Sequence, residues 1–268
     1  MTAEALGRTG AAEHSRARFL ALSAAGQFGF LMGRYEEAQR YLEEGLAIAR
    51  ELGDKGGVAS ALGALGEIFH VQGNLVVARE HLEKARAMAL ELGDKPRLSG
   101  TLNALAELYR QGGYLDEAEA LYKDALALRR EVAYPYGIAL CLLNLAMLSI
   151  GRGVVDRVPA MLLEALAIAN ETGWKRIGWM TLEVCAGLAT VDNQCGRAAR
   201  FFGAAEAQMK QMGFRRVPPD EVFVAPLIAK AREALGQTTF AAAESAGRSL
   251  SYETATSEAR EWLEGHAN

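Results

Sequence analysis

The chain has little of what disulfide frameworks, membrane spans or nucleic-acid surfaces need. Among 268 residues there are three cysteines, Cys141, Cys185 and Cys195, an odd number without metal-ligand spacing. This pattern reads as reduced thiols of a cytoplasmic protein rather than as a disulfide scaffold. Prolines number only six, and most fall between expected helices. Charge of one sign is not concentrated: the net charge is −4 and the isoelectric point about 5.7. A nucleic-acid surface needs a dense basic face, and anionic lipid needs a polybasic patch, so neither partner is expected. The most apolar run, residues 137–150, includes Asn144 and is shorter than the roughly 20 residues of a membrane span, so it reads as a buried helix. The opening MTAEALGRTG has no apolar stretch, and no secretory signal is expected.

Catalytic constellations are missing too. No GxxxxGK[ST] loop, GxSxG elbow or HExxH pair occurs, so no phosphate cradle, serine nucleophile or zinc helix is advertised. The four histidines, His14, His70, His81 and His266, lie at no ligand spacing from one another or from a cysteine. The chain is therefore expected to be no enzyme and to carry no cofactor and no metal. Glu36 with Glu37, and Asp116 with Glu117, look like paired carboxylates but sit in first helical turns, where acids complement the helix dipole. Cys185 falls in a core column and reads as a small buried hydrophobe. Trp174 and Trp179 flank a repeat boundary and read as core or edge packing rather than a ligand shelf.

What is present is a repeat of 40 residues. Apolar residues make up 50% and charged residues 23%, the balance of a soluble folded protein. Leucine recurs at 22, 62, 102, 142 and 182. Three residues later come Ala25, Leu65, Leu105, Leu145 and Cys185, then the small residues Gly26, Gly66, Ala106, Ala146 and Ala186. A second set runs Ala38, Ala78, Ala118, Val158, Ala198, then Leu42, Leu82, Tyr122, Leu162, Phe202, then Gly45, Ala85, Ala125, Ala165, Ala205. Spacing of i, i+3, i+4 puts these on one face of each of two amphipathic helices. Glycines at 33, 73, 113 and 153 fall between the helices, and those at 53, 93, 173 and 213 close the second one. One hairpin cannot bury its stripe alone, so neighbours must stack. In the fourth copy Val158 replaces the alanine and Pro159 follows; proline is tolerated in a first turn, so that helix is expected to start late.

These residues resemble the tetratricopeptide repeat, most closely in TLNALAELYRQGGYLDEAEALYKDALAL at 101–128. The 40-residue unit is similar to the longer variants of MalT-type regulators and kinesin light chains. The resemblance implies an all-α, right-handed α-solenoid of five hairpins over 11–213, at about 17–53, 54–93, 94–133, 134–173 and 174–213. Residues 1–10 are small and polar and read as disordered, with the first helix starting near Ala11 or Ala12. Residues 214–268 break the period and read as capping helices. Pro218, Pro219 and Asp220 open a helix to Leu235, a shorter helix covers about Thr238 to Arg248, and Ser251 caps a last helix to about Glu264. RAARFFGAAEA at 197–207, VPPDEV at 217–222 and AREALGQTTFAAAESAGRSLSYETA at 231–255 resemble the C-terminal end of large bacterial STAND-type regulators, some of which carry a LuxR-type DNA-binding domain. That resemblance implies a signalling or transcription-control context.

In tetratricopeptide arrays the first helix of each pair lines the concave face. Carried over, this gives the candidate partner-binding residues Gln27 and Phe30, Glu67 and His70, Asn103, Glu107, Arg110 and Gln111, and Leu140, Leu143, Asn144, Met147 and Ile150. His70 reads as a solvated polar residue, with a pH-sensitive contact as the alternative. Arg110 is the one cation among these residues, so the cluster of Lys, Arg and Asn that holds a carboxylate in some family members is missing. The apolar face of the fourth repeat is either a partner site or the seat of the helix at 220–235, through Val222, Val224, Leu227 and Ile228. The leading functional reading is a protein- or peptide-binding module, the sensor or scaffold arm of a bacterial regulator. The alternatives are a peptide- or small-molecule-responsive receptor and a self-associating structural module, which makes a homo-oligomer a further expectation.

Overall fold

The computed structural model describes residues 15–266. The expected disordered segment 1–10, the expected helix start near Ala11 or Ala12, and His14 lie outside the described residues. Those described form thirteen helices and no strand. Five hairpins come first: α1 (Arg16–Leu31) with α2 (Tyr35–Glu51), α3 (Lys55–Val71) with α4 (Leu75–Glu91), α5 (Lys95–Gln111) with α6 (Leu115–Glu131), α7 (Pro135–Gly151) with α8 (Val158–Thr172), and α9 (Lys175–Val191) with α10 (Cys195–Gln211). Three helices follow: α11 (Pro218–Leu235), α12 (Gln237–Arg248) and α13 (Tyr252–Glu264). The fold is an all-α helical-repeat solenoid. By internal contacts it forms two units, one ending at Leu128 and the other starting at Arg129, within α6.

The chain reverses every 20 residues, and the backbone shows why. Positive φ occurs at 33, 53, 73, 93, 113, 133, 153, 173, 193 and 213. Eight of these positions are glycine, which enters the left-handed region without steric cost; Ala133 (φ 49) and Asn193 (φ 58) adopt it without that freedom. At the first reversal Gly33 N–H donates to Phe30 O at 3.0 Å and Arg34 N–H to Gly29 O at 2.8 Å, the paired bonds that close a Schellman end. The helices that follow are capped where the sequence allows. Asp54 accepts from Gly57 N–H at 2.8 Å, Asp94 from Arg97 N–H at 3.0 Å, and Ser251 from Thr254 N–H at 3.1 Å. Pro159 sits in the first turn of α8, which starts at Val158 and has 15 residues where its neighbours α7 and α9 have 17.

In the unit up to Leu128, the two helices of a hairpin meet through the small-residue columns. A Cβ at Gly26 would overlap Leu42, and one at Gly66 would overlap Leu82. The core is filled by Phe19, Leu22, Leu42, Ile48, Leu62, Leu65 and Ile68, and further along by Ala78, Leu82, Ala104, Leu105 and Leu108.

From Arg129 onward a second core gathers Leu162, Leu166, Ile177, Leu182, Leu188, Phe201, Val224, Ile228, Phe240, Trp262 and Leu263. Helix α11 lies along α9 and α10, α12 lies on α10, and α13 contacts α8 and α9. The α10–α12 contact is close: a Cβ at Gly203 would overlap the Glu244 carbonyl, and one at Gly247 the Arg200 carbonyl. Arg200 also donates twice to Glu258 of α13, at 2.7 Å each, and holds that carboxyl below its ordinary range.

Candidate functional site

The inner positions of the first helices repeat at a spacing of 40, so each column can be compared across copies. Positions 103, 143 and 183 are Asn, Leu and Glu. Positions 27, 67, 107 and 147 are Gln, Glu, Glu and Met, and positions 30, 70, 110 and 150 are Phe, His, Arg and Ile. Apart from Phe30, the columns are polar in the unit up to Leu128; after it Leu143, Met147 and Ile150 are apolar and Glu183 is charged.

In the first unit the candidates form a hydrogen-bonded strip on α3 and α5. Asn103 is buried and its amide donates to Glu107 Oε1 at 2.7 Å. His70 Nε2 lies 2.6 Å from Gln111 Oε1, joining the two helices. Glu67, Glu107 and Arg110 are half-buried and Gln111 is exposed. His70 is therefore not a solvated residue: it is 3% exposed, because the neighbouring first helix closes over it and Gln111 meets its ring. On α1, Gln27 is exposed and Phe30 is half-buried with its ring 5.9 Å from that of Tyr35. Below the strip Arg97 Nε donates to Ser60 Oγ at 2.6 Å, a further tie between α5 and α3. Within this unit α3 packs on α4 and α5, and α1 packs on α2 and α3, so the first helices that carry the strip follow one another in chain order.

The second unit treats the same columns differently. Leu143, Asn144, Met147 and Ile150 are buried and Leu140 is half-buried against the core. Leu143 and Met147 share one narrow gap with Met180, Glu183 and Val184 of α9 and with Asp220, Phe223 and Val224 of α11. Of the two alternatives open from the sequence, the chain's own helix takes this face: α11 supplies the apolar cover. Val222 instead points to solvent at 62% exposure.

No motif announced the charge cluster that fixes α11. Arg216, in the link after α10, donates through Nε to Glu183 Oε1 at 2.7 Å and through its terminal nitrogens to Glu221 Oε2 at 2.7 Å and to Glu206. Its guanidinium also lies over the Phe202 ring, 5.5 Å from the centroid. Burial pushes the Glu183 carboxyl up to about 7 against the pull of Arg216. The Arg216–Glu183 contact spans 33 residues and follows no period, so only a charged residue in an apolar column, Glu183, hinted at it. Trp179 is buried and Trp174 packs edge-on against Tyr136 at 5.1 Å, which is the packing role. Burial likewise raises the Cys185 thiol above its ordinary range, as suits a core residue.

Comparison with known proteins agrees with this architecture. The first three hairpins match the tetratricopeptide repeat. The family model so described covers residues 17–91 and 57–131. Among solved structures, the chain is similar to a Podosopora anserina protein described as kinesin light chain nearly identical TPR-like repeats, at 18% identity over 73% of this chain and 96% of that one, with a TM-score of 0.52. It is also similar to BtubC (BKLC) from P. vanneervenii, at 20% identity over 86% of this chain and 92% of that one, with a TM-score of 0.55. No curated protein matches the chain. Tetratricopeptide repeats generally mediate protein–protein interaction. Among the described residues no helix is long and apolar enough to cross a membrane.

Proposed function

We propose that this chain is a protein- or peptide-binding module rather than an enzyme, and that the strip of Glu67, His70, Asn103, Glu107, Arg110 and Gln111 receives the partner. The observation that carries the reading is the contrast between the two units. At Leu143 and Met147 the columns are apolar and covered by α11, whereas at Glu67, His70, Asn103, Glu107 and Arg110 they are polar and hydrogen-bonded along α3 and α5. Hydrogen bonding along the strip orders its side chains before a partner arrives, which lowers the ordering cost of binding. With two carboxylates, Glu67 and Glu107, and one guanidinium, Arg110, the strip carries a net negative charge, which favours a peptide carrying a Lys or Arg over an acidic C-terminus.

The wider context we infer is the sensor or scaffold arm of a cytoplasmic bacterial signalling or transcriptional regulator. Its support is the resemblance of residues 197–207 and 231–255 to the ends of such regulators. The first segment lies on α10 and the second runs from the end of α11 through α12 into α13, and the two meet through Gly203 and Gly247.

The test is fluorescence polarisation of the full chain against a peptide library varied in charge. A basic peptide is expected to bind, Glu67→Lys with Glu107→Lys to weaken it at least about tenfold, and Arg110→Ala to alter it much less. Circular dichroism of the double variant, run alongside, separates lost binding from lost folding. A best binder whose affinity ignores the double charge reversal removes the strip from the mechanism.

A further inference from the structure

Helix α1 is apolar on more than the face its hairpin uses. From Phe19 to Gly33 there is no charged residue, and an all-round apolar helix normally is buried all round. Here one stripe is open: Leu20 is 56% exposed, Phe28 63%, and Ala24 between them is exposed as well. Residues at i, i+4 and i+8 share one face of a helix.

The repeat shows what this stripe is for. One period on, Ile68 of α3 is wholly buried with Ile48 and Ala49 of the preceding α2. Two periods on, Leu108 of α5 is buried with Ala78 and Leu82 of the preceding α4. Leu188 of α9 is buried in the same core as Leu162 and Leu166 of the preceding α8. Phe28 holds the equivalent position, a stacking surface without its neighbouring helix among the described residues.

We propose that this face is a self-association surface, on which the α1 of a second copy packs. Three observations favour that occupant. Alanine at 24 permits close helix approach, and Leu20 and Phe28 stand symmetrically about it, so a two-fold axis at Ala24 sets Leu20 of one copy against Phe28 of the other. From Leu20 to Phe28 the stripe has no charge, and an antiparallel pairing about Ala24 sets the Arg16 of each copy, one turn before Leu20, at opposite ends, so the two faces meet without repulsion. The last repeat helix, α10, is closed by α12 through Gly203 and Gly247, so a second copy has no open last hairpin to offer and meets α1 with its own α1. One helix face buries less than the roughly 800 Å² per partner of a standard interface, so the dimer is expected in the micromolar range.

Sedimentation velocity of the full chain from about 1 to 200 µM should show a monomer–dimer equilibrium. Phe28→Asp should raise the dimer dissociation constant at least about tenfold with unchanged circular dichroism, since the position is solvent-facing in the monomer. Ala24→Cys should give a disulfide-linked dimer on mild oxidation, because the axis brings the two thiols together, whereas Ala47→Cys at another exposed position should not. A chain monomeric at every concentration overturns the proposal, including the case in which residues 1–14 cover the stripe. A dimer indifferent to Phe28→Asp, or one in which Ala24→Cys links no better than Ala47→Cys, overturns it as well.

Discussion

Arg216 and Glu183 form an ion pair 33 residues apart in sequence, with an Nε to Oε1 distance of 2.7 Å and both side chains less than one-tenth exposed. Removing one partner of such a pair leaves a buried charge uncompensated, whereas replacing both by apolar groups can be neutral. Arg216→Met is expected to lower stability at pH 7.5 by about 3 to 5 kcal/mol, read as the midpoint of urea denaturation. The double variant with Glu183→Leu should recover most of the loss. A double variant as unstable as the single one would show that the pair is not the coupled element.

The same carboxyl gives a pH dependence with a defined sign. Folded Glu183 keeps its proton to about pH 7, whereas unfolded it releases it near the ordinary 4.5. Between these values the folded state binds more protons, so stability falls as pH rises from about 4.5 to about 7 and levels off above. The amplitude is at most about 3 kcal/mol, and Arg216 works against it, facing Glu183 together with Glu206, Asp220 and Glu221. Glu258, whose carboxyl is held down by Arg200, acts in the opposite sense and only below its own unfolded range. Wild-type protein should therefore resist urea better at pH 5.5 than at pH 7.5, and Glu183→Gln should flatten that difference. An undiminished slope in Glu183→Gln would assign the effect to other groups.

Close helix contact at Gly203 and Gly247 separates glycines that matter from those that do not. Alanine at either should push α10 and α12 apart, at a cost of about 1 to 3 kcal/mol each for over-packing, or more because the opposing atoms are backbone. Gly100 in α5 and Gly196 in α10 have nothing within 4 Å of where an alanine methyl would stand, and alanine there should stabilise by about 0.5 to 1 kcal/mol through helix propensity. Thermal melts of the four variants check the sign at each site.

Much of the fold could be read from spacing. The Leu22 to Leu182 column, the glycines of the reversals, Pro159 and Ser251 each act within a few residues of themselves, so the local sequence contains their cause. His70 and the α11 cover are different. The ring of His70 is closed over by Gln111, 41 residues on, and the apolar face at Leu143 and Met147 is covered by Phe223 and Val224 from a segment outside the period. A repeat predicts which positions recur, but not what a non-repeated helix will settle against. Arg216 lies in such a segment and carries no motif. The polar strip was visible as residue types in columns, while its internal bonds, such as Asn103 to Glu107, depend on rotamers that spacing does not specify.

The reversal at Ala133 tests the twenty-residue rule itself. Eight of the ten reversals use glycine, and Ala133 holds φ at 49 with its N–H bonded to Arg130 O at 3.1 Å. An alanine in the left-handed region costs roughly 1 to 2 kcal/mol. Glycine removes that strain and returns part of the gain through the greater freedom of the unfolded chain. Ala133→Gly is therefore expected to stabilise by about 0.5 to 1 kcal/mol and raise the melting temperature by a few degrees. Ala139→Gly, inside α7 and wholly buried, should do the opposite, since it loses both helix propensity and a packed methyl. If both variants destabilise alike, the backbone at 133 is not under the strain its dihedral implies, and the regular placement of glycine at the other reversals would need a reason other than conformation.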